Sequence, residues 1–229
     1  VDLFWEAHVA PPQQLILDFD VTDDPLHGGQ EGRFFHGYYK EYCYLPLYVF
    51  CGDHLLLARL QQANGDAAAG TIPALEFLVE RLRARWPGVP ILLRGDSGFT
   101  REETLVWCEQ HQVDYLLGLA KNERLTAILA AELKAAEEGY RQTGAAYRVF
   151  KEFTYQTRTS WSRERRVVGK AEHLAKGANP RFVVTSLSVE QADARRLYED
   201  IYCARGEMEN RIKEQQMCLF ADRTSTATM

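Results

Sequence analysis

The chain opens with apolar segments that are typical of β-strands. Residues 14–21, QLILDFDV, form one such segment between a pair of prolines and an Asp-Asp-Pro turn. Two more apolar and aromatic segments, 46–51 and 54–60, are separated by the turn pair Gly52-Asp53. Because short strands joined by turn residues pair as antiparallel neighbours, these segments predict a three-stranded meander.

From residue 71 the pattern alternates between helices and strands. Apolar residues at helical spacing predict a helix over 71–86, and a short apolar strand follows at 90–95. A second helix is predicted over about 101–111 and a further strand over 113–119. This order is typical of an α/β fold.

The second half of the chain departs from this alternation. A helix is predicted over 123–137, and helical character returns from Val189 onward. Three β-rich, basic segments lie between them, at 147–159, 164–168 and 181–186. We therefore expect an α/β core over 1–119 and 188–229, interrupted by a β-rich basic module over 120–187.

Composition excludes several classes of protein. With 46% hydrophobic residues the chain can bury a core, so it is not disordered. No apolar segment approaches the ~20 residues of a membrane helix, and no secretory signal opens the sequence. The five cysteines are scattered and odd in number, which indicates reduced thiols in the cytosol and neither a disulfide framework nor a zinc site.

Charge is unevenly distributed. The chain carries −5 overall, whereas residues 141–181 hold ten Lys/Arg and three Asp/Glu, a balance of +7. A basic block joined to an acidic remainder is typical of proteins that bind polyanions. A solvated cationic surface explains the same charges equally well.

Acidic residues at the ends of predicted strands are the main chemical signal. Asp18 and Asp20 lie two apart on the first strand, so they point to the same side of the sheet. Asp96 directly follows another apolar strand. An isolated aspartate there is often a turn former or helix cap. Two of them at the ends of central strands favour a site, because a carboxylate there is costly unless it pairs or binds a cation.

A polar row on the predicted last helix is the third component. Tyr202, Arg205 and Glu209 are spaced i, i+3 and i+7, and Lys213 continues the row. At about 100° per residue these side chains share one helical face. Taken without the aspartates, such a row indicates an exposed, salt-bridged surface.

Together these motifs resemble the catalytic core of the DDE transposases of bacterial insertion sequences. The Tyr202-x2-Arg205-x3-Glu209 motif is similar to the Y-x2-R-x3-E-x6-K motif of that group. The segments DFDVTDDPLHGGQEG and LLRGDSGF are similar to its two aspartate regions. The motif's final Lys falls on Gln216, and Lys213 on the same face is the candidate substitute. The resemblance implies an RNase H-like mixed sheet flanked by helices, with a β-rich insertion before the helix that carries the glutamate.

The resemblance also implies an activity and its residues. Asp20, Asp96 and Glu209 would be catalytic and would hold two Mg²⁺ ions, or Mn²⁺, with Asp18 as the alternative to Asp20. Such a site cleaves DNA strands at transposon ends and transfers them. The candidate DNA contacts are Tyr202, Arg205, Lys213, Arg163, Arg165, Arg166 and Trp161. For Trp161, stacking on an extruded base is weighed against packing inside the small module.

Partners and location follow from the same resemblance. The implied partner is double-stranded DNA, both transposon ends and target, bound by a homodimer in the full-length synaptic complex. The implied location is the bacterial cytoplasm, at the nucleoid. Because members of the group are longer, we expect this chain to be a fragment without their N-terminal DNA-binding and C-terminal segments. Two alternatives stay open: an inactive truncated remnant that only binds DNA, and another RNase H-like nuclease.

Overall fold

The computed structural model of the chain describes residues 1–219 and 228. The strands in this part are β1 (Leu15–Val21), β2 (Asp24–Pro25), β3 (Phe34–His36), β4 (Glu41–Tyr44), β5 (Leu47–Cys51), β6 (His54–Arg59), β7 (Ile91–Gly95), β8 (Asp114–Leu119), β9 (Tyr147–Tyr155), β10 (Arg165–Leu174), β11 (Gly177–Ala178) and β12 (Arg181–Thr185). The α-helices are α1 (Asp2–Ala7), α2 (Thr71–Arg85), α3 (Glu102–Gln110), α4 (Glu123–Ile128), α5 (Ala130–Thr143), α6 (Ala194–Arg196) and α7 (Gly206–Leu219).

The chain forms two compact units, and the first comprises Val1–Phe99 together with the residues from Arg205 onward. Its main sheet has the order β6-β5-β1-β7. Strand β1 pairs in parallel with β7 and antiparallel with β5, and β5 pairs antiparallel with β6. Strands β2, β3 and β4 form a separate antiparallel sheet.

Strand β1 is central because it pairs with β5 on one side and with β7 on the other, and one of its two faces is apolar. Leu15, Leu17 and Phe19 are completely buried, and every residue of β7 is buried beside them. Helix α2 also contributes a fully buried row, with Leu75 and Leu78 among its members. Each such side chain stabilises the fold by about 1.5–3 kcal/mol, so this sheet is a firm support for whatever its strand ends carry.

Helix α7 is held against the same sheet by two apolar residues one turn apart. Met208 and Ile212 are buried in a cluster with Tyr48 and Phe50 of β5. Because Tyr48 is the register partner of Asp20 on β1, this packing brings α7 near the carboxyl end of β1.

The second unit spans Thr100–Ala204. Its strands follow the order β11-β10-β12-β8, and β9 pairs with β10 as a long antiparallel hairpin. Helix α5 contains Gly139, where a Cβ atom would lie 2.4 Å from the ring of Tyr147. A glycine inside a helix costs about 1 kcal/mol, and this close approach of the tyrosine ring explains why one is present.

The predicted α/β class, with a mixed sheet flanked by helices, is confirmed, and so is the opening meander, as β1, β5 and β6. Three elements differ from the predictions. The small sheet of β2, β3 and β4 was not predicted. The predicted helix over 123–137 is two helices, because Leu129 between them has φ −92° and ψ 5°. The helix predicted from Val189 is irregular: Leu197–Tyr202 is a π-helix and Cys203–Arg205 a 3₁₀ turn.

The second unit is wider than the predicted module over 120–187, because β8 pairs with β12 and falls in the same unit. The boundaries of the inserted module stay a prediction. None of the helices in the described part of the chain is both long and apolar enough to cross a membrane.

Candidate active site

Asp20 lies near the carboxyl end of β1, with its side chain 17% exposed. Its Oδ1 accepts a hydrogen bond from the backbone N–H of Val21 at 3.1 Å. Burial raises the pKa of Asp20 to about 6; the guanidinium of Arg205 opposes this rise, and the negative charges of Asp96 and Glu209 add to it. The carboxylate of Asp20 therefore senses both other predicted catalytic acids.

Asp96 follows β7, the parallel neighbour of β1. The register pairs Phe19 with Gly95, so Asp20 and Asp96 each stand one residue beyond this last pair, at the same edge of the sheet. The Oδ1 of Asp96 accepts the N–H of Gly98 at 2.8 Å. A Cβ atom on Gly98 would lie 3.0 Å from that oxygen, so the glycine permits the tight turn that orients Asp96.

Glu209 joins these aspartates through Arg205. The Nη2 of Arg205 donates to Oε1 of Glu209 at 3.1 Å, and its Nη1 lies 3.7 Å from Oδ2 of Asp20. The side chain of Arg205 is 17% exposed and that of Glu209 50%. One guanidinium thus compensates the charge of two carboxylates from different elements.

Asp18, the alternative first aspartate, has a different partner. Both of its carboxylate oxygens accept hydrogen bonds from Arg94, which is opposite it on β7, at 2.5 and 2.6 Å. Asp18 is 5% exposed and Arg94 6%. This buried bidentate pair satisfies both groups and occupies both carboxylate oxygens, whereas Asp20 is the aspartate that shares its surroundings with Asp96 and Glu209.

A cavity of about 150 Å³ opens beside the two aspartates. Its wall combines these acids with aromatic and small residues of the first unit: Asp20, Val21, His36, Tyr38, Tyr39, Leu45, Ala67, Ala68, Asp96, Gly98 and Phe99. The contribution of the small sheet to this wall was missed in the sequence. The aromatic run FHGYYKEYCY at 35–44 was the available signal for it.

No group of three or more His, Cys, Asp or Glu residues within 1–219 and 228 is arranged closely enough to hold a metal ion. The chemistry of the donor set nevertheless fits a divalent cation. Three carboxylates influence one another, and the cation that now compensates two of them is Arg205. Carboxylate oxygens are the ligands that Mg²⁺ prefers.

Two of the predicted DNA-contacting arginines have intramolecular partners. Arg165 has a side chain that is 2% exposed and pairs with Glu102 and Glu109, each at 2.8 Å. Arg166 pairs with Glu152 and donates to backbone carbonyls, including that of Leu187. These guanidiniums stabilise the second unit, so we do not include them among the DNA contacts proposed below.

The other predicted DNA contacts differ in exposure. Trp161 is 6% exposed and packs edge-on against Tyr155, as expected from the packing alternative. Arg163 is 60% exposed, although it pairs with Glu109 at 2.8 Å. Lys213 is exposed, and Tyr202 is partly buried with its ring 5.5 Å from that of Tyr198.

Comparison with known protein families gives a match over the whole chain. The family model described as "Transposase DDE domain group 1" matches residues 1–229. No curated protein matches the chain.

Solved structures give more distant similarities. A piggyBac transposase synaptic complex with hairpin DNA, determined by cryo-EM, is similar at 12% identity and a TM-score of 0.47, covering 89% of this chain and 40% of that one. The catalytic domain of human Endonuclease V is similar at 15% identity and a TM-score of 0.34, covering 88% and 85%. The chain therefore spans two fifths of the length of the transposase it matches.

Proposed function

Because this chain belongs to the group 1 family of transposase DDE domains, we propose that it is a catalytic domain that cleaves and transfers DNA strands at transposon ends with Asp20, Asp96 and Glu209. The observation that carries the proposal is the shared edge of the sheet: Asp20 and Asp96 line one cavity, and Arg205 links Asp20 to Glu209.

The proposed reaction needs little covalent chemistry from the protein. Water attacks the scissile phosphodiester and breaks its bond to the 3′ oxygen, which leaves a 5′-phosphate on one strand end and a 3′-OH on the other. This 3′-OH then attacks a phosphodiester of the target DNA and displaces the 3′-OH of the target strand. A bound divalent cation, Mg²⁺ or Mn²⁺, would supply charge neutralisation and activate the attacking oxygen. Asp20, Asp96 and Glu209 would hold it through their carboxylate oxygens.

Arg205 has a second task in this proposal. In the metal-free protein it compensates Asp20 and Glu209. Once these carboxylates have another cation, its guanidinium can pair with a backbone phosphate of the DNA, for which its planar donor geometry is suited. Tyr202, Lys213 and Arg163 are the other proposed contacts to DNA, and a homodimer is the proposed assembly of the full-length protein.

Nicking of a supercoiled plasmid that carries the DNA flanking the gene tests the proposal. We expect Mg²⁺- or Mn²⁺-dependent nicking that Asp96→Asn, Asp20→Asn and Glu209→Gln each reduce by at least a hundredfold, because the carboxylates act as a unit. Glu207→Gln is the matched control, since Glu207 is exposed on the same helix as Glu209. Unchanged nicking by Asp96→Asn would refute the assignment.

A second candidate function is a DNA-binding remnant without catalysis. The pairing of Arg205 with Asp20 and Glu209 favours it, because these carboxylates are already compensated by a cation of the chain. Binding of the plasmid without nicking, at any concentration of Mg²⁺ or Mn²⁺, would support this second candidate.

A further inference from the structure

Tyr39 lines the cavity beside Asp20 and Asp96 and has no role in the reaction proposed for these acids. It lies in the turn between β3 and β4, which is closed by a hydrogen bond from the N–H of Lys40 to the carbonyl oxygen of His36 at 2.8 Å. Lys40 has φ 59°, in the left-handed region that few residues other than glycine adopt. The turn therefore gives the backbone at Tyr39 a defined geometry.

The ring of Tyr39 is anchored by apolar contacts. It packs against the buried cluster of Cys43, Leu45 and Ala63, and its centroid lies 5.0 Å from that of the His36 ring. Because the body of the side chain is held in this way, little further side-chain entropy is lost when its hydroxyl binds a ligand. The hydroxyl is thus a preorganised group.

The hydroxyl of Tyr39 keeps its proton. Burial raises the pKa of Tyr39 to about 12, and the negative charges of Asp23 and Asp20 add to this rise. At neutral pH the group is therefore an uncharged hydrogen-bond donor in a wall that also contains two acids. The influence of Asp20 indicates that this donor and the first proposed catalytic carboxylate lie in the same part of the cavity.

A neutral donor at this position suits one part of a scissile phosphodiester. Each phosphodiester has two non-bridging oxygens, and the cation that Asp20 and Asp96 would hold neutralises the oxygen that contacts it. Negative charge also develops on the other oxygen in the transition state, where a preorganised donor stabilises it. A phenol supplies that donor without adding a charge, whereas an ionised carboxylate has no proton to give.

We infer that the hydroxyl of Tyr39 is a further catalytic group, which donates a hydrogen bond to the non-bridging oxygen of the scissile phosphate that does not contact the metal ion. The inference rests on the proposed function, because it requires a phosphodiester at Asp20 and Asp96. No covalent bond to Tyr39 forms or breaks, and the phenol keeps its proton throughout the reaction.

Nicking by Tyr39→Phe tests the role of the hydroxyl, because phenylalanine keeps the ring and its packing. With the plasmid substrate and Mg²⁺ we expect the nicking rate to fall by about a hundredfold, which is typical for the loss of one preorganised donor. Tyr42→Phe is the matched control and should keep the rate. Tyr42 belongs to the same small sheet, is 47% exposed and lies outside the cavity wall.

DNA binding in EDTA provides a readout that does not depend on catalysis. Fluorescence anisotropy with a labelled duplex of the same sequence should give affinities within about twofold for Tyr39→Phe, Tyr42→Phe and the natural chain. Circular dichroism should show that both variants fold. The effect of the Tyr39 hydroxyl is then on the reaction and not on folding or on the affinity for DNA.

A phosphorothioate at the mapped nicking position of a duplex oligonucleotide identifies the accepting atom. Its two diastereomers each replace one non-bridging oxygen by sulfur, which is the poorer hydrogen-bond acceptor. Where the sulfur faces Tyr39, we expect slower nicking by the natural chain and a further loss of only about threefold in Tyr39→Phe. In the other diastereomer Tyr39→Phe should keep its full effect, measured with Mn²⁺ because that ion accepts a sulfur ligand better than Mg²⁺ does.

An unchanged nicking rate in Tyr39→Phe, an equal loss in Tyr42→Phe, or a loss of affinity in EDTA that accounts for the slower nicking would overturn the inference. An effect of Tyr39→Phe that is the same on both phosphorothioates and on the natural phosphate would also overturn it, because a structural role does not depend on one oxygen. If nicking still depends on Asp96 in these cases, only this inference fails. Absence of Asp96-dependent nicking in the natural chain overturns the proposed function as well.

Discussion

Two aspartates on one strand, Asp18 and Asp20, experience opposite surroundings. Asp18 has both carboxylate oxygens bound by Arg94 inside the sheet, whereas Asp20 lies among Asp96, Glu209 and a single arginine. Burial raises the pKa of both carboxyls, so the charged form of each is disfavoured inside the fold. The two differ in compensation: Asp18 has a bidentate partner in Arg94, whereas Asp20 has one more distant arginine and two acidic neighbours.

Asp20→Asn is expected to stabilise the metal-free protein at pH 8 while removing activity. The pKa of Asp20 is raised from 3.8 to about 6, so the folded state binds its proton more tightly than the unfolded state. The resulting penalty is present above pH 6 and disappears as the pH falls towards 4. Urea unfolding in EDTA should give the variant about 1–3 kcal/mol more stability at pH 8 and little at pH 4.

Asp18→Asn is the contrasting control for this experiment. It leaves the buried guanidinium of Arg94 without its carboxylate partner, and such a loss costs about 3–5 kcal/mol. Destabilisation by Asp20→Asn at pH 8 comparable to that by Asp18→Asn would contradict the distinction between the two aspartates.

At the scale of elements, helix α7 positions Glu209 by apolar packing. Met208 is 2% exposed in the cluster with Tyr48 and Phe50, directly before Glu209 in sequence. We expect Met208→Ala to lower the free energy of unfolding by about 2–5 kcal/mol. Nicking should fall by about a hundredfold, since small displacements of catalytic groups are costly. Met217→Ala on the same helix is the control, because Met217 is 77% exposed. An equal loss of nicking in Met217→Ala would argue against the role of Met208 packing in positioning Glu209.

The β9–β10 hairpin carries a buried charge cluster that makes the second unit sensitive to acid. Burial alone would raise the pKa of Glu172, but hydrogen bonds from Lys170, Arg148 and Asn179 lower it to about 2. The resulting stability is present above pH 4.5 and is lost as the pH falls through 2.

Glu172→Gln should therefore destabilise the protein at pH 7 by about 2–3 kcal/mol and have little effect near pH 2. Chemical unfolding followed across this pH range measures the difference. Glu164→Gln, at an exposed position just before β10, is the matched control. If the free energies of unfolding of Glu172→Gln and of the natural chain differ by the same amount at every pH, the cluster does not act through ionisation of Glu172.

Periodicity predicted the elements that depend on local pattern and missed those that depend on tertiary contacts. The opening meander and helix α2 were predictable because their apolar residues repeat regularly. The two short strands β2 and β3 were not, since strands of two and three residues carry no period. The π-helix at Leu197–Tyr202 also departs from the assumed about 100° per residue, and no local signal marks it.

Within the candidate site, the aspartates were predictable from their places at strand ends. The ion pair of Arg205 with Asp20 was not, because the two residues are far apart in sequence and only the packing of α7 brings them together. The burial of Arg165 was likewise hidden, since its partners Glu102 and Glu109 precede it by more than fifty residues. Ion pairs between distant segments leave no trace in local composition.

For the whole molecule, net charge overstates the capacity to bind DNA. The block over 141–181 has a balance of +7, but several of its cations are already paired. Those with carboxylate partners are Arg141, Arg148, Lys151, Arg163, Arg165, Arg166 and Lys170. A DNA phosphate must compete with these intramolecular carboxylates, so fewer phosphate contacts will form than the count of cations indicates.

The salt dependence of DNA binding measures how many cations remain available. We expect the slope of log affinity against log salt concentration to fall well short of the value for ten contacts. Arg158→Ala, at an exposed position, should reduce the slope by about one without changing stability. Arg165→Ala should instead lower the free energy of unfolding. A reduced salt slope together with an unchanged free energy of unfolding would contradict the structural role of Arg165.

The guanidinium of Arg205 between Asp20 and Glu209 has a consequence for the order of events in the life of the protein. The two aspartates at the sheet edge and the glutamate on the neighbouring helix would oppose one another during folding if nothing compensated them. Since an internal cation is part of the same chain, we expect the polypeptide to fold before it has met either an ion or a nucleic acid. Maturation and loading would then be separate events, and a protein purified in EDTA should be folded and ready for titration with Mg²⁺.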